Sequence, residues 1–267
     1  MALKLGSSTV GSLYLGSDKV SEMYLGSHKV YSSGMPALAP KSIRFDFKYD
    51  HWNPVEVLPE VSGMSWTHVS GDVYDFHCDR TNWTYDGQNS VSIFNYYFYM
   101  SSGKKAYFMT QHQFDVLDMD LTGVTSVAYL FGGAYQIQNI FSIRSTSSLE
   151  NTNSMFYHNR NNIQIPFVPL FDTSSCTNMS HMFQGCIALT SIPLFDTSSC
   201  TYMENFAAGC VKVETGALAL YQQASTQSTP PTSHSGTFGQ CGRDTDPSAP
   251  IHAEMAQIPT SWGGTMA

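Results

Sequence analysis

The feature that most constrains the fold is a nine-residue segment that occurs twice in the chain. Residues 169–177 read PLFDTSSCT, and residues 193–201 repeat the same letters. Met179 and Met203 are separated by the same number of residues as the two copies of this segment. A fixed period of about two dozen residues predicts a solenoid, in which each repeat buries its apolar face only against its neighbours.

A looser form of the repeat extends toward the N-terminus. An apolar residue followed by Phe, with Ile ten residues after the first, starts at Leu130, Met155 and Met182. About four units of 24–27 residues result, over residues 113–216. We expect the following residues to form the repeat core: Met155, Phe156, Cys176, Met179, Met182, Phe183, Cys186, Leu189, Ile192, Cys200, Met203, Phe206 and Cys210.

The cysteines of the repeats are interpreted as structural. Cys176, Cys186, Cys200 and Cys210 lie far apart in the sequence, whereas a zinc site normally has close Cys-x2-4-Cys pairs. Each cysteine recurs at the period of the repeat, which predicts Cys176 over Cys200 and Cys186 over Cys210 as small buried side chains. A disulfide and a metal site are the alternatives.

A different repeat, with a period of ten, occupies the N-terminus. Each decad has about six strand-like residues, such as Val20–Leu25, followed by four turn-like ones, Gly26–Lys29. Three short strands are predicted over residues 3–31, too few to enclose a core. We therefore expect another chain, in a homotrimer, to cover an anchor interface made by the aligned apolar residues. These are Leu5, Leu15, Leu25, Val10, Val20 and Val30. The alternative is a self-contained β-meander packed on the next domain.

The remaining segments complete a four-part division of the chain. It comprises a decad β-repeat anchor at 1–34, a small all-β domain at 35–112, the solenoid at 113–216, and a capping helix with an irregular C-terminal arm at 217–267. Alternation of apolar and polar residues in segments such as Val73–Cys78 predicts the β domain. Apolar residues at helical spacing predict a short helix over Glu214–Ala224. The predicted fold class is mainly β: N-terminal short β-repeats, a small all-β unit, and a leucine-rich-repeat-type solenoid with a short capping helix.

Charge and motif content narrow the function classes. The net charge is -8, without a basic run, which argues against nucleic acid and against anionic membrane surfaces. No apolar run approaches the ~18 residues of a membrane helix, so membrane insertion is not expected. Glycine and serine interrupt the first residues, so we expect no export by the ordinary secretory route.

No catalytic residue, metal site or cofactor is predicted, and the ligand-binding residues are unknown. Adjacent strand residues point to opposite faces, so His77-Cys78 is not a catalytic dyad. The carboxylates of residues 115–120 are interpreted as polar positions of a first solenoid turn, with calcium binding as the alternative. Sugar stacking is an alternative to core packing for the following aromatic residues: Trp52, Trp66, Trp83, Tyr96, Tyr97 and Tyr99.

Residues 178–193, reading NMSHMFQGCIALTSIP, resemble the repeat of BspA-like leucine-rich-repeat surface proteins. The resemblance implies a leucine-rich-repeat-type solenoid with one short strand per turn, used for adhesion. The N-terminal decads are similar to repeats that open many phage and prophage virion proteins. Residues 256–264 are similar to the tail that closes BspA-like repeats in gut-phage proteins.

These resemblances imply a non-enzymatic virion protein, a fibre or decoration protein assembled in the host cytoplasm. Its expected partners are other virion proteins through residues 1–34, and a host-surface protein or glycan through the solenoid. A bacterial cell-surface adhesin of the same repeat class, located extracellularly, is the alternative. A fibre-borne glycan hydrolase is a third reading, since paired acids for glycoside cleavage need no local motif.

Overall fold

The computed structural model describes residues 35–57, 63–83, 112–134, 136–159 and 171–265, and the backbone of four short strands between residues 13 and 32. The strands are β1 (Leu13–Leu15), β2 (Asp18–Val20), β3 (Glu22–Leu25), β4 (His28–Ser32), β5 (Ser42–Asp46), β6 (Met64–Ser70), β7 (Val73–Cys78), β8 (Phe114–Asp120) and β9 (Ile137–Ile140). The helices are α1 (Pro54–Val57), α2 (Ala217–Thr226) and α3 (Pro250–Met255), with a 3-10 helix at Thr260–Trp262. The protein is mainly β.

Two separate β-hairpins occupy the N-terminal decads. β1 pairs with β2, and β3 pairs with β4, both antiparallel. Leu15 pairs with Asp18 and Leu25 with His28, so two residues connect each pair of strands. The prediction of three strands, one of them covering residues 20–25, is therefore wrong. A Gly-Ser dipeptide is long enough for a hairpin connection, so His28 and the residue after it join a strand instead of a four-residue turn.

A mixed five-stranded sheet follows, in the order β6-β7-β5-β8-β9. Only the β8–β9 pair is parallel. β8 lies beside β5, so the sheet contains strands from both sides of the predicted boundary at residue 112. The carboxylates of residues 115–120 consequently belong to a central sheet strand and not to a first repeat turn. Phe114 and Val116, both fully buried, follow the two-residue period of a strand, and a bulge opposite Arg44 and Phe45 shifts the spacing so that the next fully buried residue is Met119.

The two faces of the sheet differ in chemistry. Ile43 and Phe45 on β5 are fully buried in the apolar core, whereas Arg44 between them lies on the opposite face. The Arg44 guanidinium donates two hydrogen bonds of 2.7 Å to the Asp75 carboxylate on β7. An ion pair between β5 and β7 thus lies on the opposite face, and such a pair is the usual way in which a protein accommodates a buried guanidinium.

The tryptophans of this region belong to the core. Trp83 is fully buried, and its indole N–H donates a 2.9 Å hydrogen bond to the Arg80 carbonyl. Trp66 and Trp52 are partly buried and pack against the core cluster. Trp83 is therefore a core residue and not a sugar-stacking one, and Trp66 and Trp52 also contribute to the packing of the core. Tyr96, Tyr97 and Tyr99 lie outside the described residues.

Five segments of similar backbone follow, each hydrogen-bonded to the next. We name them repeat 1 (126–134), repeat 2 (151–159), repeat 3 (178–186), repeat 4 (202–210) and repeat 5 (233–241). Parallel bridges connect their first residues in sequence, and the longest spacing separates repeat 4 from repeat 5. Each repeat contributes one bridging residue rather than a strand, so the short strand implied by the leucine-rich-repeat resemblance is replaced here by turns.

The backbone of each repeat is built from three overlapping β-turns, and in repeat 3 the middle turn is closed by the Gln184 N–H, which donates to the His181 carbonyl. In repeat 3, the Met182 N–H donates to the Met179 carbonyl, and the Cys186 N–H donates to the Phe183 carbonyl. The intervening N–H groups point to the next repeat: His181 donates to the Glu204 carbonyl at 2.8 Å. The same alternation holds in repeats 1 to 4, so the turns satisfy about half of the N–H groups and the stacking satisfies the others; in repeat 5 the Gly236 and Phe238 N–H groups donate to Ser261 and Trp262 instead.

Repeat 5 lies in the segment interpreted from sequence as an irregular arm. Its Phe238 and Cys241 are buried, and the Ala207 N–H donates to the Thr237 carbonyl at 2.8 Å. The segment is thus a further repeat. Sequence comparison missed it because α2, which begins at Ala217 rather than Glu214, is inserted before it and lengthens its spacing from repeat 4.

Tryptophans cover both ends of the stack. The backbone N–H of Trp83 donates to the Ser126 carbonyl of repeat 1, and the backbone N–H of Phe238 in repeat 5 donates to the Trp262 carbonyl. The Trp262 ring stacks on His234 with centroids 4.2 Å apart and contacts Tyr221 edge-on. A stack whose terminal repeats are covered in this way leaves its sides as its exposed surfaces.

Candidate binding surface

The interior of the repeats is a column of aromatic rings. Phe131, Phe156 and Phe183 stack in register, with centroid distances of 5.8 and 5.4 Å and interplanar angles of 17° and 10°. In repeat 4 the equivalent residue is Ala207, and Phe206 beside it fills the space where repeats 2 and 3 have Met. The exchange of a small and a large residue keeps the interior filled.

The predicted repeat-core residues lie in this interior. Their exposed fractions are 0% to 6%, except for Leu189, which is half-buried and packs against the core. This group comprises Met155, Phe156, Cys176, Met179, Met182, Phe183, Cys186, Ile192, Cys200, Met203, Phe206 and Cys210. Of the predicted anchor residues, Leu5 and Val10 lie outside the described residues. Leu15, Val20, Leu25 and Val30 lie on β1 to β4, where the structure describes the backbone alone.

The cysteines of adjacent repeats lie near one another as free, buried thiols. Cys186 and Cys210 each donate to a carbonyl of the preceding repeat, at 3.1 and 3.0 Å. Burial raises the pKa of the Cys210 thiol to about 12. Burial also raises the pKa of Cys200 to about 12, with a further rise from the nearby Cys176. The thiols therefore stay protonated and act as small hydrogen-bonding core groups.

Two positions in every repeat have left-handed backbone. The first left-handed position comprises Tyr129, Ser154, His181, Asn205 and Gly236, with φ between 50° and 66°. The second left-handed position comprises Gly133, His158, Gly185, Gly209 and Gln240, with φ between 54° and 74°. They are the third residues of the first and of the last of the three turns, a place where a positive φ favours Gly or Asn.

A shallow groove of about 360 Å³ runs along the side of the stack where these positions lie. It crosses repeats 2 to 5. Its lining residues are His158, Gln184, Gly185, Asn205, Ala208, Gly209, Gly236, Gly239 and Gln240. The groove therefore has a floor of glycine and alanine backbone, with amide and imidazole side chains at its edges.

The side chains of the groove are held by neighbours. The Gln184 Oε1 lies 2.6 Å from the His181 Nδ1, and the Gln240 Oε1 accepts a 3.2 Å hydrogen bond from Arg243. The Tyr157 ring lies 4.2 Å from the His158 ring at one end of the groove. These contacts hold polar side chains around the groove, and a few fixed polar groups around a cleft are a common feature of ligand sites.

No ligand-binding residue was predicted from the sequence, although recurring glycines mark part of this groove. Gly185-Cys186 and Gly209-Cys210 recur at the period of the repeat, and glycine before the turn end marks positive φ. His158 and Gln240 occupy the same position without glycine, so only the hydrogen-bond register reveals their equivalence.

A second polar cluster lies on the five-stranded sheet. The buried Asp115 carboxylate accepts hydrogen bonds from the Lys48 ammonium at 2.6 Å and the Asn139 amide at 2.8 Å. Tyr49 also donates to Asp115, and burial together with this carboxylate raises the pKa of Tyr49 to about 12. The cluster is internally satisfied and ties β5 to β8 and β9. Within the described ranges, no group of three His, Cys, Asp or Glu side chains is arranged to hold a metal ion. No helix in the same ranges has the length and apolar character to cross a membrane.

Comparison with known proteins gives a family match for part of the chain. Residues 101–221 match the family described as "Mycoplasma protein of unknown function, DUF285". Domains of this family are often found in BspA-like surface proteins. No curated protein and no solved structure matches the chain. The matched segment includes repeats 1 to 4 and ends within α2.

Proposed function

We propose that the chain is a non-enzymatic attachment protein of a phage virion, a fibre or decoration protein. Residues 1–34 join it to other virion proteins, and repeats 1 to 5 form a leucine-rich-repeat-type solenoid that presents its side to the host surface. The observation that carries the proposal is the continuous register of repeats 1 to 5, with both ends covered by Trp83 and Trp262. Such a body binds partners along its side.

The N-terminal hairpins support the attachment role. β1–β2 and β3–β4 each form a two-stranded sheet of their own, and an isolated hairpin is marginally stable in water. A partner surface that pairs with or covers these hairpins stabilises them. A homotrimer of this chain, docked on other virion proteins, supplies such a surface.

The test is incorporation into the particle. Virions are assembled with the full chain, with residues 1–34 deleted, or with the pair Val20→Ser and Val30→Ser. We expect both changes to abolish incorporation while the purified variants keep the melting temperature of the repeats. The matched control is Lys19→Ser with Lys29→Ser, which changes the polar neighbours of the two valines in the same strands. Incorporation of the deleted chain would refute attachment through residues 1–34.

A bacterial cell-surface adhesin is the second candidate. The match of residues 101–221 to a family often found in BspA-like surface proteins favours it. Fractionation distinguishes the two: antibody labelling of purified virions supports the first proposal, and labelling of intact cells without virions supports the second.

A further inference from the structure

We propose that the groove across repeats 2 to 5 is a binding site for a neutral oligosaccharide. This inference rests on the proposed attachment function and names the chemical class that the repeat side recognises. The groove crosses four repeats, which at a strand spacing of about 4.8 Å is about 14 Å, longer than a single sugar ring.

The charge of the lining selects a neutral ligand. Among the described residues, those that line the groove include no Asp, Glu, Lys or Arg. Arg243, which donates to Gln240 of the groove, is itself paired with Asp244 at 2.9 Å. Burying an ionised ligand group beside amides carries a desolvation penalty that no opposite charge among the lining residues offsets. A sialylated, sulfated or phosphorylated ligand therefore fits the groove poorly.

The polar groups of the lining match hydroxyls. Gln184, Asn205 and Gln240 contribute amides, which both donate and accept hydrogen bonds, and His158 contributes an imidazole. A sugar hydroxyl also donates and accepts, so it pairs with an amide in either direction. The Tyr157 ring contacts the His158 ring, with centroids 4.2 Å apart, and so helps to hold this side chain in place.

The backbone of the floor argues against a peptide ligand. A peptide that adds as a strand needs free N–H donors on the receptor. The Gly185 N–H already donates to Ala208, the Gly209 N–H to Gly239, and the Gly236 N–H to Ser261. Ala208 and Gly239 donate within their own repeats. Recognition therefore depends on the side chains at the groove edges.

The same backbone geometry offers a test that separates binding from folding. His158, Asn205 and Gln240 have left-handed backbone, whereas the equivalent residues of other repeats are Gly185, Gly209 and Gly236. Replacing each by glycine removes a groove side chain and relieves the left-handed backbone. The triple glycine variant, His158→Gly with Asn205→Gly and Gln240→Gly, is thus expected to keep the native fold.

The experiment measures binding of the purified full chain to an array of hexose and N-acetylhexosamine oligosaccharides, with sialylated and sulfated forms of the same cores. We expect binding to neutral oligosaccharides, weakened at least tenfold in the triple glycine variant and in Asn205→Gly alone. Ser145→Gly, an exposed left-handed residue outside the groove, is the matched control and keeps full binding. Melting temperatures verify folding of every variant.

Three results would overturn the site. They are no binding to any neutral oligosaccharide, binding only to charged forms, and unchanged binding by a folded triple glycine variant. Incorporation into virions is measured in parallel. A triple glycine variant that is incorporated but does not bind supports the groove, and loss of incorporation on deleting residues 1–34 tests the attachment role independently.

Discussion

At the scale of the residue, the repeats depend on backbone that most side chains disfavour. Each repeat has two residues with positive φ, and glycine occupies several of these sites, including Gly185 and Gly209. Glycine adopts this conformation without the penalty of about 1–2 kcal/mol that a Cβ incurs. Non-glycine residues at the same sites retain that penalty, and three of them, His158, Asn205 and Gln240, line the groove.

At Gly216, which precedes α2, both space and backbone conformation exclude a side chain. Its φ is 103°, and a Cβ there would lie 2.2 Å from the Ile192 carbonyl oxygen. We expect Gly216→Ala to lower the free energy of unfolding by about 2–5 kcal/mol, from backbone strain and overpacking together. Gly71→Ala is the control: φ is 54° with no atom within 4 Å, so we expect about 1–2 kcal/mol in urea unfolding. Equal losses would contradict the steric argument.

The buried thiols predict a dependence of stability on high pH. Cys200 and Cys210 have a pKa of about 12 when folded, above the ordinary value of 9.0. Their contribution is therefore complete below pH 9.0 and is lost as the pH rises toward 12, because only the unfolded chain releases the protons. We expect a loss of about 1.4 kcal/mol per pH unit for each thiol in that window. We expect the free energy of unfolding of Cys210→Ala, measured in urea, to fall less steeply with pH above pH 9.0 than that of the unchanged protein. Below pH 9.0 the two curves should run parallel. Identical slopes above pH 9.0 would contradict the prediction.

At the scale of the element, each repeat is a set of three overlapping turns that is completed only by its neighbour. Alternate N–H groups close the turns and the others reach the next repeat, so an isolated repeat would leave about half of them unpaired. The one long helix of this region, α2, is also completed from outside. Its N-terminus has no side-chain cap of its own, and the Glu254 carboxylate on α3 accepts from the Gly216 and Leu218 N–H groups at 3.0 Å.

Glu254 therefore joins α3 to the start of α2. We expect Glu254→Ala to lower the free energy of unfolding by about 1–3 kcal/mol, since it removes a charged partner from helix N-terminal donors. The exposed Gln257, whose side-chain amide donates to the nearby Ala253 carbonyl, is the control, with a change within about 0.5 kcal/mol for Gln257→Ala. Thermal unfolding of both variants measures the difference, and equal melting temperatures would exclude the capping role.

At the scale of the whole molecule, the sheet and the repeats form one continuous core. β8 and β9 lie in the sheet, a parallel bridge at Asp120–Arg144 extends their pairing, and a parallel bridge at Asn82–Ser126 joins the segment after β7 to repeat 1. Stability along such a stack is a sum of neighbouring contacts, so a change at one end acts first on the repeats beside it. Trp262 covers the far end and is 6% exposed.

Trp262→Ala should destabilise repeat 5 more than the sheet. We expect about 3–5 kcal/mol from loss of the buried ring. Hydrogen exchange should show early loss of protection at the Met203, Ala207 and Gly209 amides, which donate into repeat 5, while β5 stays protected. Tyr202→Ala, at an exposed ring (48%), should leave all these rates unchanged. Uniform loss of protection along the chain would indicate a single cooperative unit instead.

The period of the repeats, the residues that point inward and the alignment of cysteines between repeats could all be predicted from the sequence alone. The repeat period aligns Cys176 with Cys200, and apolar residues at fixed offsets have few places to lie except against their counterparts. It also indicated short strands and turns at the N-terminus, because alternating apolar residues and Gly-Ser pairs act locally.

Repeat 5, the strand at residues 114–120 and the groove could not be predicted from the sequence, because each depends on partners that are distant in the chain. Repeat 5 was hidden because α2 lengthens the spacing, and its register is set by hydrogen bonds from repeat 4 across that insertion. Residues 114–120 became a sheet strand because β5, from a much earlier part of the chain, lies beside them. The groove arises from left-handed residues of four repeats, and their alignment exists only once the repeats are stacked.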